Sequence, residues 1–214
     1  MQFKDYANFH EMLRETIDTY GSDPAYRWFD KESNATSLTW NEFYDQVKTV
    51  SKSLMALGLE KDDKVNILSY TCYKWVLTDV ASMSIGVGTV GIYQSNLPVD
   101  CEYIINHSDA KLVFAEDQAQ LDKLFEIREN IPNIKRVILF NGDAGADDWV
   151  ITYDEFLSLG KDIPDAAFEE RTAQVTPKDT AGIVYTSGTT GVPKGVVLTH
   201  DNITFTCQSV TNSA

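Results

Sequence analysis

The chain has 214 residues, enough to bury a substantial core, and its 43% apolar and 23% charged content is ordinary globular composition rather than that of a disordered chain. Its 32 acidic side chains against 18 basic ones leave a formal charge of −14, which repels nucleic acid and anionic lipid and excludes both as principal partners. The three cysteines, Cys72, Cys101 and Cys207, are odd in number and far apart, so they argue against a disulfide framework or a zinc site and for a reducing cytoplasm.

The opening MQFKDYANFHEML lacks the basic-then-apolar layout of a signal peptide. Thr39 and Glu42 stand three apart, as a capping box requires, ahead of a helical stripe of Trp40, Phe43, Val47, Val50, Leu54 and Leu57. Gly58 then supplies a stop. Lys64–Ser69 reads as a short strand and Tyr73–Ser84 as a helix. Val87–Tyr93 reads as a buried strand; the apolar stretch around it, Ile85–Tyr93, is too short to span a bilayer. Pro98–His107 reads as a helix with proline in its first turn.

The rhythm continues with a strand at Lys111–Ala115 and a helix from Asp117 carrying Leu121, Leu124 and Phe125 until Pro132 ends it. Arg136–Phe140 is a further strand closed by the Asn141–Gly142 turn. Strand and helix alternating over short connections predict an α/β fold, a largely parallel sheet flanked by helices. The small, acidic loop Asn141–Asp148 is expected to be mobile, with Asp147–Asp148, like Asp62–Asp63, as solvated charge. A short capped helix is expected at Thr152–Leu159. Lys161–Lys178 has little periodicity and two prolines, Pro164 and Pro177, and reads as a linker or traverse. It divides an N-terminal α/β subdomain (1–160) from the start of a second one (179–214). A helix is expected to begin near Asp201, and nothing in Thr206–Ala214 reads as a natural terminus.

The chemistry concentrates in Tyr185–His200, YTSGTTGVPKGVVLTH. Thr180–Tyr185 ahead of it and Gly195–Leu198 behind it read as strands. Between them stand the hydroxyls of Thr186, Ser187, Thr189 and Thr190, the glycines Gly188 and Gly191, and Lys194. Glycines let backbone N–H groups approach an anion, hydroxyls donate further hydrogen bonds, and the lysine adds a mobile positive charge. The pattern fits a polyphosphate cradle, and in so acidic a chain such aimed donors are what an ATP site requires. It is not a Walker loop: Pro193 precedes the lysine, Gly195 follows it, and the chain continues into a strand instead of a helix. The plain alternative is a polar hairpin turn, and this run is longer than a hairpin needs.

Thr186–Gly195, TSGTTGVPKG, resembles the phosphate-loop signature of the adenylate-forming enzymes, which include acyl-CoA synthetases, luciferases and the adenylation domains of peptide synthetases. Leu38–Val47, Gly91–Pro98 and Tyr103–Leu124 are similar to the long-chain fatty acyl-CoA synthetases in particular. The resemblance implies the N-terminal part of the large domain of such an enzyme. It also implies an acid–thiol ligase that uses ATP, Mg2+ and coenzyme A to turn a fatty acid first into an acyl-adenylate and then into acyl-CoA. On that pattern Thr186 contacts magnesium or a phosphate oxygen, Ser187, Gly188, Thr189, Thr190 and Gly191 wrap the β- and γ-phosphates, and Lys194 neutralises the departing pyrophosphate. The family's later Gly-x-Thr-Glu motif does not occur here, so the isolated chain is expected to be an inactive fragment. Another carboxylic acid, or a non-catalytic nucleotide-binding module, stands as the alternative. Homodimerisation and peripheral membrane association of the larger enzyme stay open.

Among other residues, His200 reads as a structural or capping group as readily as a ligand contact, and His10 and His107 as isolated surface or packing residues. Trp28, Trp40, Trp75 and Trp149 read as core. Tyr93, Gln94 and Ser95 close a strand where α/β ligand sites often lie, with packing as their expected role.

Overall fold

The computed structural model describes residues 3–29, 35–187 and 192–211. Seven strands form one sheet in the order β7-β6-β5-β3-β4-β8-β9. They are β3 (Lys64–Leu68), β4 (Gly88–Ile92), β5 (Leu112–Ala115), β6 (Arg136–Leu139), β7 (Val150–Thr152), β8 (Thr180–Thr186) and β9 (Lys194–Thr199). Every neighbouring pair is parallel except β8 and β9, which form an antiparallel hairpin. A separate antiparallel ribbon joins β1 (Pro24–Phe29) to β2 (Ala35–Thr39).

Helices cover both faces, and the two-residue period of the strands divides the core between them. Val65, Leu112, Phe114 and Ile138 point into one cluster, under α1 (Phe9–Tyr20), α2 (Trp40–Ala56), α3 (Tyr73–Ser84), α6 (Tyr153–Leu159) and α7 (Asp165–Ala173). Their neighbours Leu68, Val113 and Val137 point into the other, under α4 (Pro98–Ser108) and α5 (Gln118–Glu126).

Local chemistry sets the helix limits. The Thr39 hydroxyl accepts from the Glu42 N–H at 3.2 Å while the Glu42 carboxylate accepts from the Thr39 N–H at 2.8 Å. This reciprocal box starts α2, whose apolar stripe Phe43, Val47, Val50 and Leu54 is buried. Gly58, at φ 75°, turns the chain away in the left-handed region that disfavours side chains.

Several elements differ from the sequence expectation. The stretch 161–178 is not featureless: it holds a short 3-10 turn and α7, which is pinned by wholly buried Phe168. Asp147 is not free loop charge: it accepts from the Trp149 N–H at 2.9 Å and pairs with Arg128, contacts that hold its carboxyl below the usual range. Among the described residues no helix is long and apolar enough to cross a membrane.

Candidate functional site

The loop of interest joins β8 to β9. The last pair of their ladder sets Thr186 opposite Lys194, so the first hydroxyl and the lysine meet at the hairpin's mouth. Thr186, Ser187 and Lys194 are exposed, and among the described residues Lys194 makes no ion pair. Gly188, Thr189, Thr190 and Gly191 lie outside the described residues. As expected from the missing Walker pattern, the loop leads into a strand, with no helix dipole behind it.

Both stems of the loop touch one face of α4. Pro193, just before Lys194, accepts a hydrogen bond on its carbonyl from the Tyr103 hydroxyl at 3.0 Å. Tyr185, just before Thr186, shares a hydrogen bond of 2.6 Å between its hydroxyl and His107 Nδ1. Tyr103 and His107 stack with ring centres 5.3 Å apart, and Tyr185 meets His107 edge-on at 5.7 Å. His107, isolated in the sequence, thus has two aromatic partners, Tyr103 and Tyr185. The signal available was the four-residue spacing of Tyr103 and His107 within a helix, which puts both on one face.

Beside the hairpin, a cavity of about 700 Å3 opens between α3, β4, β8 and α8 (His200–Thr211). Its wall includes Trp75, Asp79, Thr89, Tyr93, Ile183 and Tyr185. Tyr93 is 71% exposed, so the packing role expected for it is not what it does. Trp75 likewise faces the cavity as well as the core, and Trp28, 39% exposed, stacks on Tyr73 at 5.6 Å. The Asp79 carboxylate accepts a hydrogen bond from the Thr89 hydroxyl. Burial pushes its pKa up to about 6, against the lowering effect of that hydrogen bond.

The remaining histidines are structural. His200 is wholly buried and accepts from the Phe9 N–H on Nδ1 at 3.2 Å, tying α8 to α1. His10 sits between Tyr44 and Phe168. Burial lowers both to about 4, so both are neutral at physiological pH. Among the described residues no three His, Cys, Asp or Glu side chains gather to hold a metal ion.

The sequence model of the AMP-binding enzyme family matches residues 13–214. The chain belongs to that family. A long-chain-fatty-acid–CoA ligase of Xenopus laevis, ACSBG2, is 33% identical to this family member over 199 residues, which is 92% of this chain and 27% of the relative. The chain thus spans little more than a quarter of that relative's length. Among solved structures, a long-chain-fatty-acid-CoA ligase of Archaeoglobus fulgidus, FadD1, superposes with a TM-score of 0.79 at 21% identity, covering 98% of this chain and 40% of that one. The anthranilate CoA ligase AuaEII, solved with anthranoyl-AMP, gives 0.78 at 23% identity over 97% of this chain and 38% of its own. These two establish the fold: the mostly parallel sheet with its flanking helices is that of adenylate-forming ligases.

Proposed function

We propose that the natural protein carrying this chain is an AMP-forming long-chain fatty acid–CoA ligase whose phosphate grip is the segment Thr186–Lys194. One arrangement carries the reading: a hydroxyl and a lysine without an ion-pair partner among the described residues face each other at the mouth of an exposed hairpin, in a member of the AMP-binding family. The names of the relatives support the choice of acid.

In the first half-reaction a fatty carboxylate oxygen attacks the α-phosphorus of ATP. The bond to pyrophosphate breaks, leaving an acyl-adenylate. In the second, the thiol of coenzyme A attacks the acyl carbonyl and AMP departs. Both the attacking and departing groups are anions, so the barrier is chiefly electrostatic, and donors aimed at the phosphates lower it without a protein nucleophile. Lys194 offsets the charge that builds on pyrophosphate. The hydroxyls of Thr186, Ser187, Thr189 and Thr190 and the N–H groups of Gly188 and Gly191 donate to the phosphate oxygens.

The residues fit a magnesium ion that is carried by the nucleotide, not one caged by protein. Thr186 is exposed at the mouth, and among the described residues no acidic cluster stands beside it, so its hydroxyl would hold the ion together with phosphate oxygens and water. When bound, the ion supplies further neutralisation of the phosphate charge. On this reading 161–178 is the traverse from the N-terminal subdomain (1–160) to the phosphate-binding one that begins near 179. The unpaired cysteines Cys72, Cys101 and Cys207 support a reducing, cytoplasmic setting.

Acid-dependent ATP–pyrophosphate exchange by the intact natural protein tests the proposal, and long-chain fatty acids are expected to drive it best. Exchange driven instead by an aromatic or amino acid would keep the chemistry and replace the substrate. No exchange with any acid would reduce the protein to a non-catalytic member of its family.

A further inference from the structure

We propose that Tyr103 and His107 are positioning residues for the phosphate loop: from one face of α4 they clamp both stems of the β8–β9 hairpin. The two contacts fall at matched places. His107 ties down the side chain of Tyr185, the residue before Thr186, and Tyr103 ties down the carbonyl of Pro193, the residue before Lys194. Proline has no N–H, so its carbonyl is the only backbone hydrogen-bonding group it offers. The tie therefore fixes the peptide unit that leads directly into the lysine.

The rest of the structure supports the same geometry. Gly195 pairs with Tyr185 across the ladder. A Cβ there would lie 2.9 Å from the Ile183 side chain and 3.3 Å from the Tyr185 ring, so glycine leaves that ring free to lean toward α4. The helix is itself braced from behind. Lys123 donates to the carbonyls of Gln94 at 2.6 Å and Asn96 at 2.9 Å, fixing the turn that opens α4, and Asn106 donates to the Asn130 carbonyl at 2.9 Å near its end.

Ordering any backbone segment around a bound ligand costs conformational entropy. Fixing its ends in the free protein removes part of that cost before the nucleotide arrives. The plain alternative is an aromatic cluster that covers the second core, against which Tyr103 and Tyr185 pack. A cover needs the rings; the clamp needs the hydroxyl of Tyr103 and the Nδ1 of His107.

The inference rests on the phosphate-binding reading of the loop, and two measurements on the intact natural protein separate the two. One is amide hydrogen exchange across 186–194 without nucleotide; the other is steady-state kinetics with ATP and acid varied separately. Tyr103→Phe keeps the ring and loses the hydroxyl, and His107→Leu removes the partner of Tyr185. His107→Asn places an amide near the Nδ1 position and can keep the bond. Tyr103→Phe and His107→Leu are each expected to speed exchange in 186–194 and raise KM for ATP about fivefold, the worth of one neutral hydrogen bond. KM for the acid and the melting temperature are expected to hold, and His107→Asn to restore most of the loss. Unchanged exchange and KM in both variants would overturn the clamp. So would an asparagine variant no better than leucine, or equal losses for both substrates with a falling melting temperature. If the wild-type protein ignores ATP, the functional reading falls and the hydrogen-exchange comparison alone decides the clamp.

Discussion

The centre of the sheet and the β8–β9 hairpin are built from similar residues and put to opposite uses. All four residues of β5 are wholly buried, which is how a strand covered on both faces reads: as an unbroken apolar run. In the hairpin Val184, Val196 and Val197 are 49%, 47% and 53% exposed. The centre holds the fold through buried apolar surface. The hairpin leaves these side chains turned to solvent. Stability and chemistry are therefore separable here, and substitutions in the two regions should fail in different ways.

The sharpest test is Phe114→Ala. Phe114 is wholly buried and meets Phe156 edge-on at 5.4 Å, so truncation should cost about 3–5 kcal/mol in denaturant unfolding. A loss under about 1 kcal/mol would mean the centre is looser than its burial implies. Next is Lys194→Ala at the exposed mouth of the hairpin. Unfolding should move by no more than about 0.5 kcal/mol, while acid-dependent pyrophosphate exchange by the intact protein falls about 100-fold. An unchanged exchange rate would take the lysine out of the mechanism.

The smallest expected effect concerns Asp79, on the cavity wall between the two regions. Its folded pKa, about 6, lies above the ordinary value for an aspartate, so the folded chain holds that proton more tightly than the unfolded chain does. The resulting stabilisation is fully present below about pH 4 and is lost as pH rises through 6, at most about 2–3 kcal/mol. Asp79→Asn should flatten stability between pH 4 and 6. A wild-type curve already flat there would show that the carboxylate is solvated.

Much of this was readable in advance, for physical reasons. Helix α3 falls on Tyr73–Ser84 as expected, and the strands from β3 to β6 announced themselves as short apolar runs closed by turns. The capping box at Thr39 and Glu42 is a local device and was visible as one. Elements with a weak local signal were not legible. The β1–β2 ribbon mixes aromatic and polar residues and is partly exposed, and α7 buries only Phe168 and Thr172. At the site, the strands on either side of the loop could be read from their patterning. Its attachment to α4 could not, because Tyr103 and Pro193 are 90 residues apart and Tyr185 and His107 are 78 apart. Nothing about an isolated histidine in a sequence says which ring it will meet.

The order of the strands carries a kinetic consequence. β7 closes one edge of the sheet, and β8, the next strand in the chain, lies five interstrand steps away beyond β4. At about 4.8 Å per step the chain travels roughly 24 Å between them. The units β3–α3–β4 and β5–α5–β6 can form from near neighbours, but β8 has no place to dock until β4 is already seated. Long-range closure of this kind is slow and entropically dear. The strand order predicts that the hairpin joins the sheet late in folding, so in pulse-labelling hydrogen exchange β8 is expected to gain protection after β3 and β4.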